Sequence, residues 1–137
     1  MMQMIAPNAP IRLARPTADL ATIERFWIHG VGLEVLWRTD EPGPGEHALT
    51  MVGVPGAAWH LELVADADMA RQADPSDEDL LVVYLGEQAG PDWLARIEGA
   101  GGQRVPSRNP YWDTWGITIR DPDGYLLVLS HRSWSTD

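Results

Sequence analysis

Apolar residues along the chain fall into short alternating runs, interrupted twice by helical spacing, and the same order of elements occurs two times. Ile11–Arg15 alternates and predicts a first strand. Ile23, Phe26 and Trp27 recur at three- and four-residue intervals and predict a helix over Leu20–His29. Asp19 or Thr17 would cap that helix, and Gly30 plus Gly32 would end it. Three strands are predicted next, over Leu33–Arg38, His47–Val52 and Trp59–Val64, separated by Asp40–Gly45 and by the turn Val54-Pro55-Gly56. The second half repeats this. Leu80–Leu85 is a strand, and Pro91–Gly99 a helix with proline in its first turn that Gly101-Gly102 stops. Gln103–Val105, Gly116–Arg120 and Tyr125–Ser130 complete the set, with Asp121-Pro122-Asp123-Gly124 turning into the last.

Each half is therefore predicted as β-α-β-β-β, the first over about 10–65 and the second over about 79–134. Ala65–Glu78 between them is polar, acidic and proline-containing, and reads as a linker. Neither half covers its own sheet, so the expected architecture is a single α+β domain. Two βαβββ units pair curved, mixed sheets into a cup, with the helices outside. Alternate side chains of each strand then face the cup, which becomes the natural ligand site.

Composition narrows the function. At 137 residues with a formal charge of −10, the chain has arginine as its only basic side chain besides histidine. Nucleic acid and anionic membranes need basic patches and are not expected as partners. Lysine Schiff-base chemistry is excluded, and the absence of cysteine removes thiolate ligands, thiol nucleophiles and disulfides. No apolar run suits a membrane helix, and Met1–Pro7 lacks the pattern of a signal peptide, so a cytoplasmic location is expected. Seven tryptophans stand against one phenylalanine. Trp27 and Trp93 lie at helix-face spacing and are expected in the core. Tyr111, Trp112 and Trp115 fall in the polar connection Pro106–Trp115, either as an aromatic lid over the cup or as a seal on the end of the sheet. Asn109 and Asp113 would turn that loop or orient a ligand.

The doubled βαβββ order resembles the vicinal-oxygen-chelate superfamily of glyoxalase I, extradiol dioxygenases, fosfomycin-resistance enzymes and bleomycin-binding proteins. Asp19-Leu20, Gly30-Val31-Gly32-Leu33-Glu34-Val35, His60-Leu61-Glu62-Leu63 and the closing Asp121-Pro122-Asp123-Gly124-Tyr125-Leu126-Leu127-Val128-Leu129 carry the resemblance. Asn109-Pro110-Tyr111-Trp112-Asp113 followed by Gly116 is similar to an uncharacterised single-domain subgroup. The resemblance implies four metal-ligand positions, falling on Arg12, Glu62, Asp79 and Val128. Only Glu62 matches well. Valine cannot ligate, and a guanidinium about 4 Å from a divalent ion repels it by roughly 8 kcal/mol at an effective dielectric of about 20. No cofactor is expected, and a shifted His60–Glu62 site is the route by which a divalent metal would return.

Arg12, Glu62 and Asp79 are instead expected to form a charged cluster, either a structural stand-in for the ion or an anchor for an anionic group. His60 beside Glu62 is a candidate general base. The candidate ligand-binding set is Arg12, His60, Glu62, Asp79, Asn109, Tyr111, Trp112 and Trp115. The function expected is metal-independent binding, sequestration or conversion of a planar or cationic small molecule, by a homodimer. A metal-dependent lyase or dioxygenase with an altered site is the alternative, and a domain kept for interaction alone a third class.

Overall fold

A computed structural model describes residues 2–39 and 41–137. Its elements run β1 (Ile11–Thr17), α1 (Leu20–Glu24), β2 (Glu34–Thr39), β3 (Leu49–Gly53), β4 (Trp59–Ala65), α2 (Ala67–Gln72) and β5 (Leu80–Tyr84). They continue with α3 (Pro91–Gly99), β6 (Gln103–Val105), α4 (Pro110–Trp115), β7 (Gly116–Arg120) and β8 (Leu126–Ser130). The doubled βαβββ order and the α+β class are as the pattern predicted. Of the Asp40–Gly45 separator, Asp40 lies outside the described residues.

Two open four-stranded sheets result, in the orders β1-β4-β3-β2 and β5-β8-β7-β6. In each, the first strand pairs parallel to the last and the other pairs are antiparallel. Alternation decides what each face does. In β4, Leu61 and Leu63 turn to the helices and are buried, which leaves His60 and Glu62 on the opposite, inner face. In β8, Leu127 and Leu129 face the helices while Leu126, Val128 and Ser130 face inward. One buried cluster spans both halves, from Ile23, Phe26 and Trp27 through Leu94 and Ile97 to Ile119, Leu127 and Leu129.

Three features depart from the sequence reading. The first helix does not end at Gly30. After Glu24 the chain widens into a π-helix over Arg25–Val31, and Gly32 terminates it at φ 96°. Gly30 is buried at the crossing with α3, where a Cβ would stand 2.9 Å from Ala100 Cβ and 3.3 Å from Ile97 Cα. Side chains of α3 satisfy the carbonyls this helix end exposes: Trp93 Nε1 donates to Val31 O at 3.0 Å, and Arg96 Nε to Gly30 O at 3.0 Å. The segment read as a linker contains α2, capped by Asp66, whose carboxylate accepts from Met69 N at 3.1 Å. The connection read as a loop contains α4, begun by Asn109 as cap and Pro110 in its first turn.

A second contact joins the halves. Thr17 Oγ1 donates to Asp123 Oδ1 at 3.1 Å, and the Arg15 guanidinium lies 4.3 Å over the Tyr125 ring. Asp121, at the head of that turn, accepts from the backbone N–H groups of Asp123 and Tyr125 at 2.9 and 3.0 Å. Burial nevertheless pushes its carboxyl up to about 6, against the pull of those N–H donors and of Arg15. Burial also lowers the Arg15 guanidinium from its ordinary value.

Candidate functional site

Parallel pairing of β1 with β4 sets Arg12 beside His60 and Ala14 beside Glu62, and antiparallel pairing sets Met51 of β3 beside Glu62. Side chains at paired positions share a face, so the register alone gathers Arg12, His60, Glu62 and Met51 on the inner side of the first sheet. Arg12 Nε donates to His60 Nε2 at 3.1 Å. Nε2 is the accepting ring nitrogen of this pair. Arg12 NH1 stands 3.7 Å from Glu62 Oε2, and NH2 reaches Met51 Sδ at 3.7 Å.

A cavity of about 520 Å³ opens between the edge strands β1 and β5. Ile11, Arg12 and Leu13 of β1 and Trp59, His60 and Leu61 of β4 form one wall, and Leu81, Val82, Val83 and Tyr84 of β5 the other. The lining is mainly apolar, and among the described residues Arg12 is its only formally charged member. Its volume falls within the range of small-molecule sites. Tyr84 stacks on Trp134 from the C-terminal segment, centroid to centroid at 6.3 Å, near the cavity wall.

Of the residues singled out from sequence, Arg12 and His60 line this cavity and Glu62 adjoins it through Arg12. Asp79 does not join them. Its Oδ2 accepts from Ser76 N at 2.6 Å in the turn before β5, and that hydrogen bond holds its carboxyl below the usual range. Arg15, not Arg12, is the arginine whose charge it feels. The charged cluster is thus Arg12 with Glu62 and His60, without Asp79. Val128 is fully buried on the inner face of the second sheet.

The aromatic connection also lies elsewhere than a lid on this cavity would. Asn109 Oδ1 caps α4 by accepting from Tyr111 N at 3.0 Å. Tyr111 meets Trp112 edge to face at 4.9 Å, and Trp115 packs edge-on against His131 with the Arg132 guanidinium 4.4 Å above it. Helix α4 packs on β7 and β8, and Ser107 just before it hydrogen-bonds Thr118 on the second sheet's inner face. Asn109, Tyr111, Trp112 and Trp115 line no part of the cavity. The aromatic wall comes instead from Trp59 and Tyr84, which sequence reasoning did not single out as ligand contacts. Tyr84 had a signal: it ends β5 two residues after Val82, on the same inner face.

The residues at the superfamily's ligand positions do not fit a divalent ion. Arg12 occupies one, valine another, Asp79 is engaged by the backbone of its own turn, and Glu62 sits against the guanidinium. The shifted His60–Glu62 pair fares no better, since the lone pair of His60 Nε2 accepts from Arg12. Among the described residues, no three His, Cys, Asp or Glu side chains are grouped as a metal site.

Two family models match this chain. A YycE-like N-terminal domain matches residues 11–64, and a YycE-like C-terminal domain matches residues 78–131. The uncharacterized protein YycE of Bacillus subtilis strain 168 is 34% identical over 122 residues, covering 88% of this chain and 86% of its own. The crystal structure of a YycE protein of unknown function from B. subtilis superposes with TM-score 0.77 at 30% identity, over 94% and 93% of the two chains. Two more distant structures share the fold. The fosfomycin resistance protein FosX of Mesorhizobium loti gives TM-score 0.67 at 13% identity over 97% and 94%. TnmS3, an antibiotic binding protein from Streptomyces sp. CB03234, gives 0.60 at 23% identity over 96% and 100%. With both domain models matched in order and a relative aligned over most of its length, this chain belongs to the YycE-like family, within the vicinal-oxygen-chelate superfamily.

Proposed function

We propose that this YycE-like protein binds a planar, largely apolar small molecule between its two sheets without the help of a metal. The observation that carries the proposal is the cavity of about 520 Å³, walled by Leu13, Trp59, Val82 and Tyr84, with Arg12 and His60 as polar contacts. Apolar walls with a few fixed polar groups are what such ligands need. A flat ring against Tyr84, on the inner face with Val82, adds stacking beyond simple burial. TnmS3, which shares the fold, is an antibiotic binding protein, and sequestration of a compound of that size is compatible with this cavity. A cationic ligand is disfavoured, because among the described residues no carboxylate lines the cavity and Arg12 is already there. The metal-dependent alternative is disfavoured by the same guanidinium and by Val128.

The test uses a neutral planar probe on chelator-treated protein. 2-Naphthamide is expected to quench tryptophan fluorescence saturably and to raise the melting temperature. At a concentration of a hundred dissociation constants the added stability is about 2.7 kcal/mol. Val82→Trp, which fills the cavity from β5, is expected to abolish both effects. Nickel, zinc, manganese or iron(II) is expected to change neither. Saturable binding that survives Val82→Trp, or that needs a metal, would overturn the proposal.

A symmetric homodimer belongs to the same reading. Trp37, 53% exposed, stands beside Met51 in register, and Leu36 beside it is also exposed, leaving apolar surface on the first sheet for a second copy. Light scattering is expected to give twice the 15.2 kDa chain mass; a monomer at micromolar concentration would remove this part.

A further inference from the structure

We infer that the cavity's ligand carries a carboxylate, or an equivalent planar oxyanion, held at the NH1/NH2 edge of Arg12. The inference rests on the small-molecule reading above and adds the class of ligand to it.

Arg12 has five N–H donors, and their present partners are unequal. Nε is committed to His60 Nε2 at 3.1 Å, a contact that fixes the plane of the guanidinium. NH1 has only Glu62 Oε2, at 3.7 Å and so beyond hydrogen-bond distance. NH2 has only the sulfur of Met51, a weak acceptor, at 3.7 Å. Among the described residues no oxygen accepts from either terminal nitrogen. The side chain is 48% exposed and lines the cavity. A guanidinium aimed through Nε and left with two adjacent nitrogens matches a carboxylate bidentately.

The rest of the cavity favours one acidic end over two. The β5 wall is Leu81, Val82 and Val83 with Tyr84 at its end, so no second charged group is available there. Beside Tyr84, the ligand body is best satisfied by a flat ring system. His60 acts as a positioning residue, orienting Arg12 instead of contacting the acid. Glu62 opposes the anion: its carboxylate adjoins the same guanidinium and offsets part of its charge. The chain's net charge of −10 opposes anions at long range as well. Preference for an acid must therefore come from direct contact with Arg12.

Isothermal titration of the intact protein with 2-naphthoate and with its neutral isostere 2-naphthamide separates contact from burial. The acid is expected to bind about tenfold more tightly, the size of one charge-assisted bidentate contact in a half-exposed site. Arg12→Met should erase that preference, weakening the acid far more than the amide. Glu62→Gln should strengthen the acid several-fold and leave the amide alone. Equal affinities for acid and amide in the unmodified protein, with both lost in Val82→Trp, would overturn the carboxylate inference and leave the cavity reading standing. Saturable binding of neither probe would overturn both. The comparison of the two probes on the unmodified protein needs no variant to fold.

Discussion

The two halves follow one topology and do opposite things on their inner faces. In the first, the β1–β4 pair carries Arg12 beside His60, with Glu62 two residues on, and the first four residues of β1 are exposed. In the second, the β5–β8 pair places Leu80 beside Leu126 and Val82 beside Val128, and every residue of β8 is buried. The difference lies in what covers each sheet. The β6–β7 connection reaches across the second sheet, where Ser107 meets Thr118 beside Val128 and α4 packs on β7 and β8. In the first half α2 packs on β1, yet the first four residues of β1 stay exposed. A covered inner face must be apolar or fully hydrogen-bonded, whereas an open one can hold a half-solvated arginine. One half supplies the polar anchor and the other a wall.

The sharpest way to break this comparison is to exchange the chemistry. Val128→Glu, which places a carboxylate at a position with no exposure, is expected to cost on the order of 3–5 kcal/mol at neutral pH. Glu62→Val on the open side should cost less than about 1 kcal/mol, because its partner Arg12 stays half-solvated. Urea unfolding of the two variants measures both, and equal costs would remove the asymmetry.

A smaller effect sharpens the contrast at the turns. Val54-Pro55-Gly56-Ala57 leads towards β4 and Asp121-Pro122-Asp123-Gly124 towards β8, each closed by a hydrogen bond of 3.0 Å from its fourth N–H to its first carbonyl. Val54 is 49% exposed, whereas Asp121 is 5% exposed. Because burial raises the Asp121 carboxyl from 3.8 to about 6, the folded state binds its proton more tightly than the unfolded chain. Its contribution to stability is then greatest below about pH 4 and is lost as pH rises through about 6, on the order of 2–3 kcal/mol. Asp121→Asn keeps the acceptor for Asp123 N and Tyr125 N and cannot ionise. Melting temperatures of the variant and the unmodified protein should diverge in the variant's favour between pH 4 and 6.5. Parallel curves would show that the carboxyl ionises at its ordinary value.

What was legible in the sequence was whatever burial writes into alternation. His60 and Glu62 against Leu61 and Leu63 are enough to assign the two faces of β4, and the proline-containing turns mark the strand ends. Elements with no buried residue left no such trace. Helices α2 and α4 are six residues each and present no buried side chain, so only their caps, Asp66 and Asn109, announced them. The π-helical stretch does not keep the period of 3.6 by which the first helix was found. The site was half legible. Arg12, His60 and Glu62 meet through strand register, which a pattern can foresee. Tyr84 and Val82 meet Arg12 and His60 only across the gap between two sheet edges, a relation with no local signature. Asp79 was placed by analogy of position, and its carboxylate is spent on the N–H of Ser76.

The parallel pairing of β1 with β4 also bears on how the protein assembles itself. Arg12 and His60 touch across 48 residues of chain, and the β2–β3 hairpin and the turn from β3 into β4 lie within that span. Antiparallel hairpins close short loops, whereas docking β1 closes a long one and gains little until β4 already has its antiparallel partner. Chain entropy therefore places the arrival of β1 late, and with it Arg12, the charged side chain of the cavity wall. Translation makes β1 first, yet the ligand site is among the last parts of the first half to exist.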